Sequence, residues 1–304
     1  MISIKSIKVH AESLINLKTD LLVLAQFENS SIKKIEAGIK KLIDPAISLE
    51  SFNGKAGKYV HCYGNDKIRR LSVYGLGGSD LFDADKLRSL GSRVSVYANL
   101  LKLESISIDG NSFGLKKSNY AQAFIEGLVL GTYEFQNYKT QKEDLNTLKS
   151  ISVIGDVDSQ SIIKGEVIAN GVAYARDLGN HPANKMTPEV LADEATAIAK
   201  NSGMKTTIID VTDFKKMGFG AFYGVAQGSL DSVPAKMIIV EYNGGKKGDK
   251  PFGLIGKGVM FDSGGISIKP SPGMGDMKYD MCGSAAVMGL LKTVSILKPS
   301  INIV

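Results

Sequence analysis

Gly253-Leu254-Ile255-Gly256-Lys257-Gly258-Val259-Met260-Phe261-Asp262-Ser263-Gly264-Gly265-Ile266-Ser267-Ile268-Lys269-Pro270 is the densest signal in the chain. It continues through Met274, Met277, Lys278 and Asp280 to Cys282-Gly283-Ser284-Ala285-Ala286. Residues 252–255 read as an apolar strand, and the glycine-rich stretch after it holds Lys257, Asp262, Lys269 and Asp280. Glycine lets a backbone turn tightly and approach an ion or ligand closely. Strand ends are also where an α/β fold usually binds its ligand. Two common motifs do not fit. A phosphate-binding loop needs glycine five residues before its Gly-Lys pair and Ser or Thr after it, and those places hold Pro251 and Gly258. A nucleophile elbow needs Gly-x-Ser-x-Gly, and Asp262-Ser263-Gly264 lacks the first glycine.

Aspartates brought together repel unless they are protonated or neutralised by a cation. A metal with oxygen ligands would be a hard or borderline ion such as Mn²⁺, Mg²⁺ or Zn²⁺. The histidines His10, His61 and His181 form no His-Glu-x-x-His pair, which removes the commonest zinc-peptidase pattern. Spacing alone leaves a second reading open, in which two Asp–Lys ion pairs merely brace a glycine-rich loop.

Outward from this segment, residues 283–297 read as a helix, and 206–211 and 235–242 as strands of the same sheet as 252–255. Thr187-Pro188-Glu189 opens a helix, with Thr as N-cap and Pro at its first position. A long helix over 161–178 ends at Asn180-His181-Pro182, because proline disfavours helix at the residue before it. Further upstream, strands at 2–9, 20–27, 58–63, 71–74, 105–109 and 148–154 alternate with helices at 31–43, 83–101 and 120–133. That alternation predicts an α/β layer structure with a largely parallel sheet. The polar stretches 136–146 and 155–160 put a boundary near residue 157. Residues 1–157 are expected to form an N-terminal α/β, macro-like domain, and 158–304 a larger α/β catalytic domain with a central mixed sheet. Ile301-Asn302-Ile303-Val304 reads as the opening of a buried strand, so the catalytic domain is expected to be incomplete at this end.

Composition narrows the class without deciding function. Of the 304 residues, 43% are hydrophobic and 22% charged, ordinary values for a globular chain. No apolar run is read as reaching the roughly 20 residues that span a bilayer. The first residues lack the apolar core and cleavage site of a secretory signal. Cys62 and Cys282 are the only cysteines, which makes no disulfide framework and points to a reducing cytoplasm. The net charge of +6 comes from scattered doublets, such as Lys33-Lys34, Arg69-Arg70 and Lys246-Lys247, not interleaved with aromatics. These read as solvated surface and not as a nucleic-acid arm.

The run Gly256-Lys257-Gly258, Phe261-Asp262-Ser263-Gly264-Gly265, Lys269 and Met277-Lys278-Tyr279-Asp280-Met281-Cys282-Gly283 closely resembles the core of the leucyl aminopeptidase family. The stretch Ala175-Arg176-Asp177-Leu178-Gly179-Asn180, with Pro182-Ala183-Asn184 and Thr187-Pro188, is similar to that family's interdomain region. Together these similarities cover the chain from about residue 165 onward. The resemblance implies a dinuclear, metal-dependent aminopeptidase that releases N-terminal residues such as Leu from peptides. Two divalent ions, Mn²⁺ or Zn²⁺, would be held by Lys257, Asp262 and Asp280. Lysine ligates only as the neutral amine, so its proton must be driven off well below its free pKa of about 10.4. Lys269 would be the catalytic lysine, protonated and facing the scissile carbonyl oxygen. A water acidified by the two ions would attack. The substrate, bound by Lys257, Asp262, Lys269 and Met277, would place its first side chain against Met277.

The family's second motif, Asn-Thr-Asp-Ala-Glu-Gly-Arg, does not occur in this chain. It would add an Asp and a Glu ligand and the arginine that holds a bicarbonate in the full-length protein. The 304-residue polypeptide is therefore expected to bind metal weakly at best and to have no useful peptidase activity alone. The resemblance further implies a cytoplasmic homohexamer when full length, with no membrane attachment. The alternative kept beside it is a DNA-binding regulatory or architectural protein that shares the aminopeptidase fold.

Overall fold

Residues 2–32, 35–140 and 146–304 are described by a computed structural model. Met1, the doublet Lys33-Lys34 and residues 141–145 of the polar stretch lie outside the described residues. Contacts divide the chain into two units, Met1–Asn170 and Gly171–Val304.

The first unit is built from β1 (Ser6–His10), β2 (Leu22–Phe27), α1 (Ala37–Leu49), β3 (Tyr59–Tyr63), β4 (Arg70–Gly77), α2 (Ala84–Leu100), β5 (Ser105–Asp109), α3 (Ser118–Leu130) and β6 (Ser150–Ile154). Helix α4 (Ser159–Asn180) begins in it. The sheet order is β1-β6-β5-β2-β4-β3, parallel except for the antiparallel pair β3 and β4. Strand β2 explains the layering. Leu22, Val23, Leu24 and Ala25 are all buried, as expected of a strand covered on both faces. Alternation sends Val23 and Ala25 into the cluster with Leu87 and Val94 of α2 and Phe124 and Leu128 of α3. Leu22 and Leu24 enter the opposite cluster, with Ile39 and Ile43 of α1.

Helix α2 starts where the sequence places it, with the Asp83 side chain accepting a hydrogen bond from the Lys86 amide at 2.8 Å. Helix α1 departs from the expected 31–43. It starts at Ala37 and runs past Pro45 to Leu49, because Ala46 and Ile47 beyond the proline still pack on the apolar cluster.

The second unit contains the end of α4, then α5 (Pro188–Ser202), β7 (Lys205–Asp210), α6 (Val211–Phe214), α7 (Gly220–Ala226), β8 (Lys236–Asn243), α8 (Cys282–Leu297) and β9 (Asn302–Ile303). Its named strands pair antiparallel in the order β7-β8-β9, and Phe252 adds one parallel bridge to Ile303. The expected strand at 252–255 is thus only a bridge. Its amide bonds are Phe252 to Asn302, Leu254 to Val304 and Val304 back to Phe252. The core joins Leu191, Ala195 and Ile198 of α5 to Ala285, Met288, Leu291 and Val294 of α8, with Val240 and Ile303 of the sheet.

One correction concerns the reading of apolar runs. The helical stretch Met274–Leu297 has a mean hydropathy of 1.3 over its best window and is long enough to cross a membrane. Within α8 the only charge is Lys292, so averaging tolerates what a search for unbroken runs does not. Burial of its Ala285, Met288, Leu291 and Val294 face is the pattern of a helix packed into a protein core.

Candidate functional site

The site lies wholly in the second unit, on the stretch between residue 256 and the start of α8. Beyond the Phe252 bridge the chain reaches Lys257. The Lys257 carbonyl accepts a hydrogen bond from the Ser284 amide at 2.9 Å, which ties this segment to the first turn of α8. The next loop folds back on itself. Asp262 accepts from the Gly264 amide at 3.0 Å, and the Lys269 amide donates to the Ser263 carbonyl at 3.0 Å. Lys269 is thereby returned beside Asp262. A 3₁₀ run, Met274–Met281, then carries Met277 and Asp280 into α8.

These turns bring together all five residues singled out in the sequence. Lys257 pairs with Asp280 Oδ2. Lys269 Nζ lies 2.9 Å from Asp262 Oδ2 and 2.9 Å from Met277 Sδ. The two pairs feel each other. The Lys269 ammonium, then the Gly264 amide, hold the Asp262 carboxyl below the usual carboxylate range, and the positive charge of Lys257 adds to this. The result is an alternating series of charges, Asp280, Lys257, Asp262 and Lys269, with Met277 at its end. Further contacts that spacing did not reveal tie this loop to the end of α4. Tyr279 Oη donates to Asn180 Oδ1 at 3.1 Å, and Lys278 Nζ to the Asn180 carbonyl at 3.3 Å. The sequence signal for them is the Gly179-Asn180 pair ahead of proline, where a helix ends and its last groups need partners.

The donor set fits part of a divalent-metal centre. Carboxylate oxygens suit hard and borderline cations, and an amine can join them once it has lost its proton. Among the described residues no three His, Cys, Asp or Glu side chains gather at one place. The carboxylates here are those of Asp262 and Asp280, each paired with a lysine, Lys269 and Lys257 respectively. Each lysine serves as the counter-charge of the aspartate beside it. A cleft of about 870 Å³ opens beside this segment, walled by Met237, Ile239, Met260 and Val287. Of the five residues only Lys257 lines it.

Residues 173–304 match the description "Cytosol aminopeptidase family, catalytic domain", and residues 23–142 match "Cytosol aminopeptidase family, N-terminal domain". The chain is 34% identical over 316 residues to a probable cytosol aminopeptidase of Alkaliphilus metalliredigens, covering 98% of this chain and 62% of the relative. It is 36% identical over 307 residues to the cytosol aminopeptidase of Pseudomonas aeruginosa, covering 95% and 61%. Among solved structures, a tomato leucine aminopeptidase variant superposes with a TM-score of 0.79 at 27% identity, over 98% of this chain and 61% of that one. The bottromycin maturation enzyme BotP, solved in complex with Mn, gives 0.75 at 25% identity, over 94% and 58%. The chain spans about 62% of the length of the curated relatives it matches. Both descriptions fall in order on one polypeptide, and the catalytic-domain match contains every residue of the Lys–Asp series, so this chain belongs to the cytosol aminopeptidase family.

Proposed function

We propose that this chain carries part of the active centre of a metal-dependent aminopeptidase that removes N-terminal residues such as Leu from peptides. The observation that supports it most is the interleaving of Lys257–Asp280 with Lys269–Asp262 inside the stretch that matches the family's catalytic domain. Asp262, Asp280 and a deprotonated Lys257 would hold the divalent ions, two in number, with Mn²⁺ or Zn²⁺ the fitting choices. When bound, such ions supply Lewis acidity and make water acidic enough to attack.

The remaining chemistry belongs to the chain's own side chains. Lys269 stays protonated and donates a hydrogen bond to the scissile carbonyl oxygen as negative charge develops there. Asp262, 2.9 Å away, holds that ammonium in place, while Met277 offers a polarizable apolar wall to the first side chain of the substrate. The full-length assembly would be a cytoplasmic homohexamer, in which a bicarbonate would supply a base. Nothing in the comparisons favours the DNA-binding alternative.

A chimera tests the proposal: residues 1–304 continued by the remaining length of the Pseudomonas aeruginosa enzyme. It is expected to release leucine from a leucine anilide only with Mn²⁺ or Zn²⁺ present. Lys269→Ala in it should lower kcat roughly 100- to 1,000-fold, the usual loss for a missing oxyanion donor. The 304-residue chain by itself should give no useful turnover. A folded chimera without metal-dependent release overturns the assignment.

A further inference from the structure

Two glycines in the site do work that their lack of a side chain makes easy to overlook. A methyl carbon on Gly256 would lie 2.6 Å from Ser284 Cα and 2.7 Å from both the Gly283 oxygen and the Ser284 nitrogen. One on Gly283 would lie 2.8 Å from the Lys257 nitrogen and 3.1 Å from the Lys257 oxygen. Every atom approached is backbone, so no rotamer change can relieve the contact. The same surfaces are joined by the 2.9 Å bond from the Ser284 amide to the Lys257 carbonyl. Main chain therefore packs on main chain, residue 256 against 283–284 and residue 283 against 257.

This packing sets a spacing. Lys257 directly follows Gly256, and Asp280 enters the same turn just before Gly283. We propose that Gly256 and Gly283 are positioning residues that fix the distance between Lys257 and Asp280, and so allow the two side chains to serve one metal ion. The metal half of this rests on the function proposed above. An alanine at 256 has to move from 2.6 Å to an ordinary contact of about 3.4 Å, a separation of roughly 0.8 Å, beyond the roughly 0.5 Å within which a site must be held. Not every glycine nearby behaves this way. A methyl on Gly258 would meet only the Ser284 side chain, its hydroxyl at 3.1 Å and its Cβ at 3.4 Å, and one on Gly275 would meet nothing within 4 Å.

The test uses the 304-residue protein and the variants Gly256→Ala, Gly283→Ala and, as control, Gly275→Ala. The metal-free readout is hydrogen exchange at the Ser284 amide. The second is the affinity for Mn²⁺, followed by the electron paramagnetic resonance of the free ion, with Lys257→Met marking the loss of a ligand. Gly256→Ala and Gly283→Ala are expected to lose protection at Ser284 and to bind Mn²⁺ roughly 10- to 100-fold more weakly, the scale seen when a supporting partner of a metal ligand is lost. Gly275→Ala should match the parent in both. Should Gly283→Ala fail to fold, Gly256→Ala decides, since it sits outside the helix. Loss of fold in both, or a lowered melting temperature with Ser284 protection and Mn²⁺ affinity unchanged, overturns the proposal in favour of a general packing role. A parent that takes up no Mn²⁺ counts against the proposed metal site, and the Ser284 amide then decides the spacing alone.

Discussion

Asp109 is the most exposed to argument of the buried polar residues, because its surroundings and its charge disagree. It ends β5 with 1% of its surface accessible. Its Oδ2 has no hydrogen-bond partner among the described residues, while Oδ1 accepts from the Asn111 amide at 3.2 Å. Burial, with a smaller contribution from the charge of Glu36, outweighs the hydrogen bonds from Ser112 and Asn111 and pushes its pKa up to about 6. Since the folded value exceeds the ordinary 3.8, folding favours the protonated form. That stabilisation is complete below pH 3.8 and is lost as pH rises through about 6. The gap corresponds to about 3 kcal/mol between those limits. Asp109→Asn removes the charge and keeps the shape, so its melting temperature relative to the parent should climb from pH 4 to pH 7. A difference that stays flat with pH would show that Asp109 is not charged in this environment, or is partnered when it is. The lysines of the site illustrate the opposite case. Lys257 and Lys269 each sit beside a carboxylate, so their charges are met by a partner.

At the scale of elements, local signals were legible where the physics is local. Thr187 accepts from the Val190 amide at 3.3 Å, Pro188 holds the first turn, and Gly203 closes α5 at φ 74°. Leu191, Ala195, Ile198 and Ala199 then form one buried face. Each of these features could be read from residue type and spacing. Thr187→Ala should cost about 1 kcal/mol or somewhat less, given the long cap bond. Urea unfolding would measure this, and Thr187→Ser should restore most of it; an unaltered midpoint for Thr187→Ala would mean that the packed face alone holds the helix. What the sequence did not give away depends on distant partners. The segment at 252–255 has strand composition, but pairing is decided by β9, some fifty residues later. Helix α1 passes Pro45 because its far end is buried, and tertiary packing overrides the local penalty. Helices α6 and α7 are too short for periodicity to register. In the site, the residue types were legible and the ion-pair partners were not. Which lysine meets which aspartate is set by the Ser263–Lys269 and Lys257–Ser284 backbone bonds.

For the molecule as a whole, the distribution of apolar surface is uneven, and this has a measurable consequence. In the first unit, apolar side chains on both faces of the sheet are buried against helices. In the second, Ile255 is 100% exposed, Phe252 64% and Val225 74%, and all three flank or line the cleft of about 870 Å³. Among the described residues the segment 252–255 bonds through its backbone to Asn302 and Val304, and it carries the large exposed side chains of Phe252 and Ile255. Such an open, apolar edge favours edge-to-edge association of chains, and a lysine on it is a common natural block. The folded 304-residue protein should therefore enhance the fluorescence of a hydrophobic dye at neutral pH and sediment as species that grow with concentration. Ile255→Lys points a charge from the edge without touching the core. It should reduce both signals while leaving the far-ultraviolet circular dichroism unaltered. If sedimentation of the parent is that of a monomer at all concentrations, or if Ile255→Lys leaves dye and sedimentation as they were, this edge is not the surface that limits the solubility of the chain.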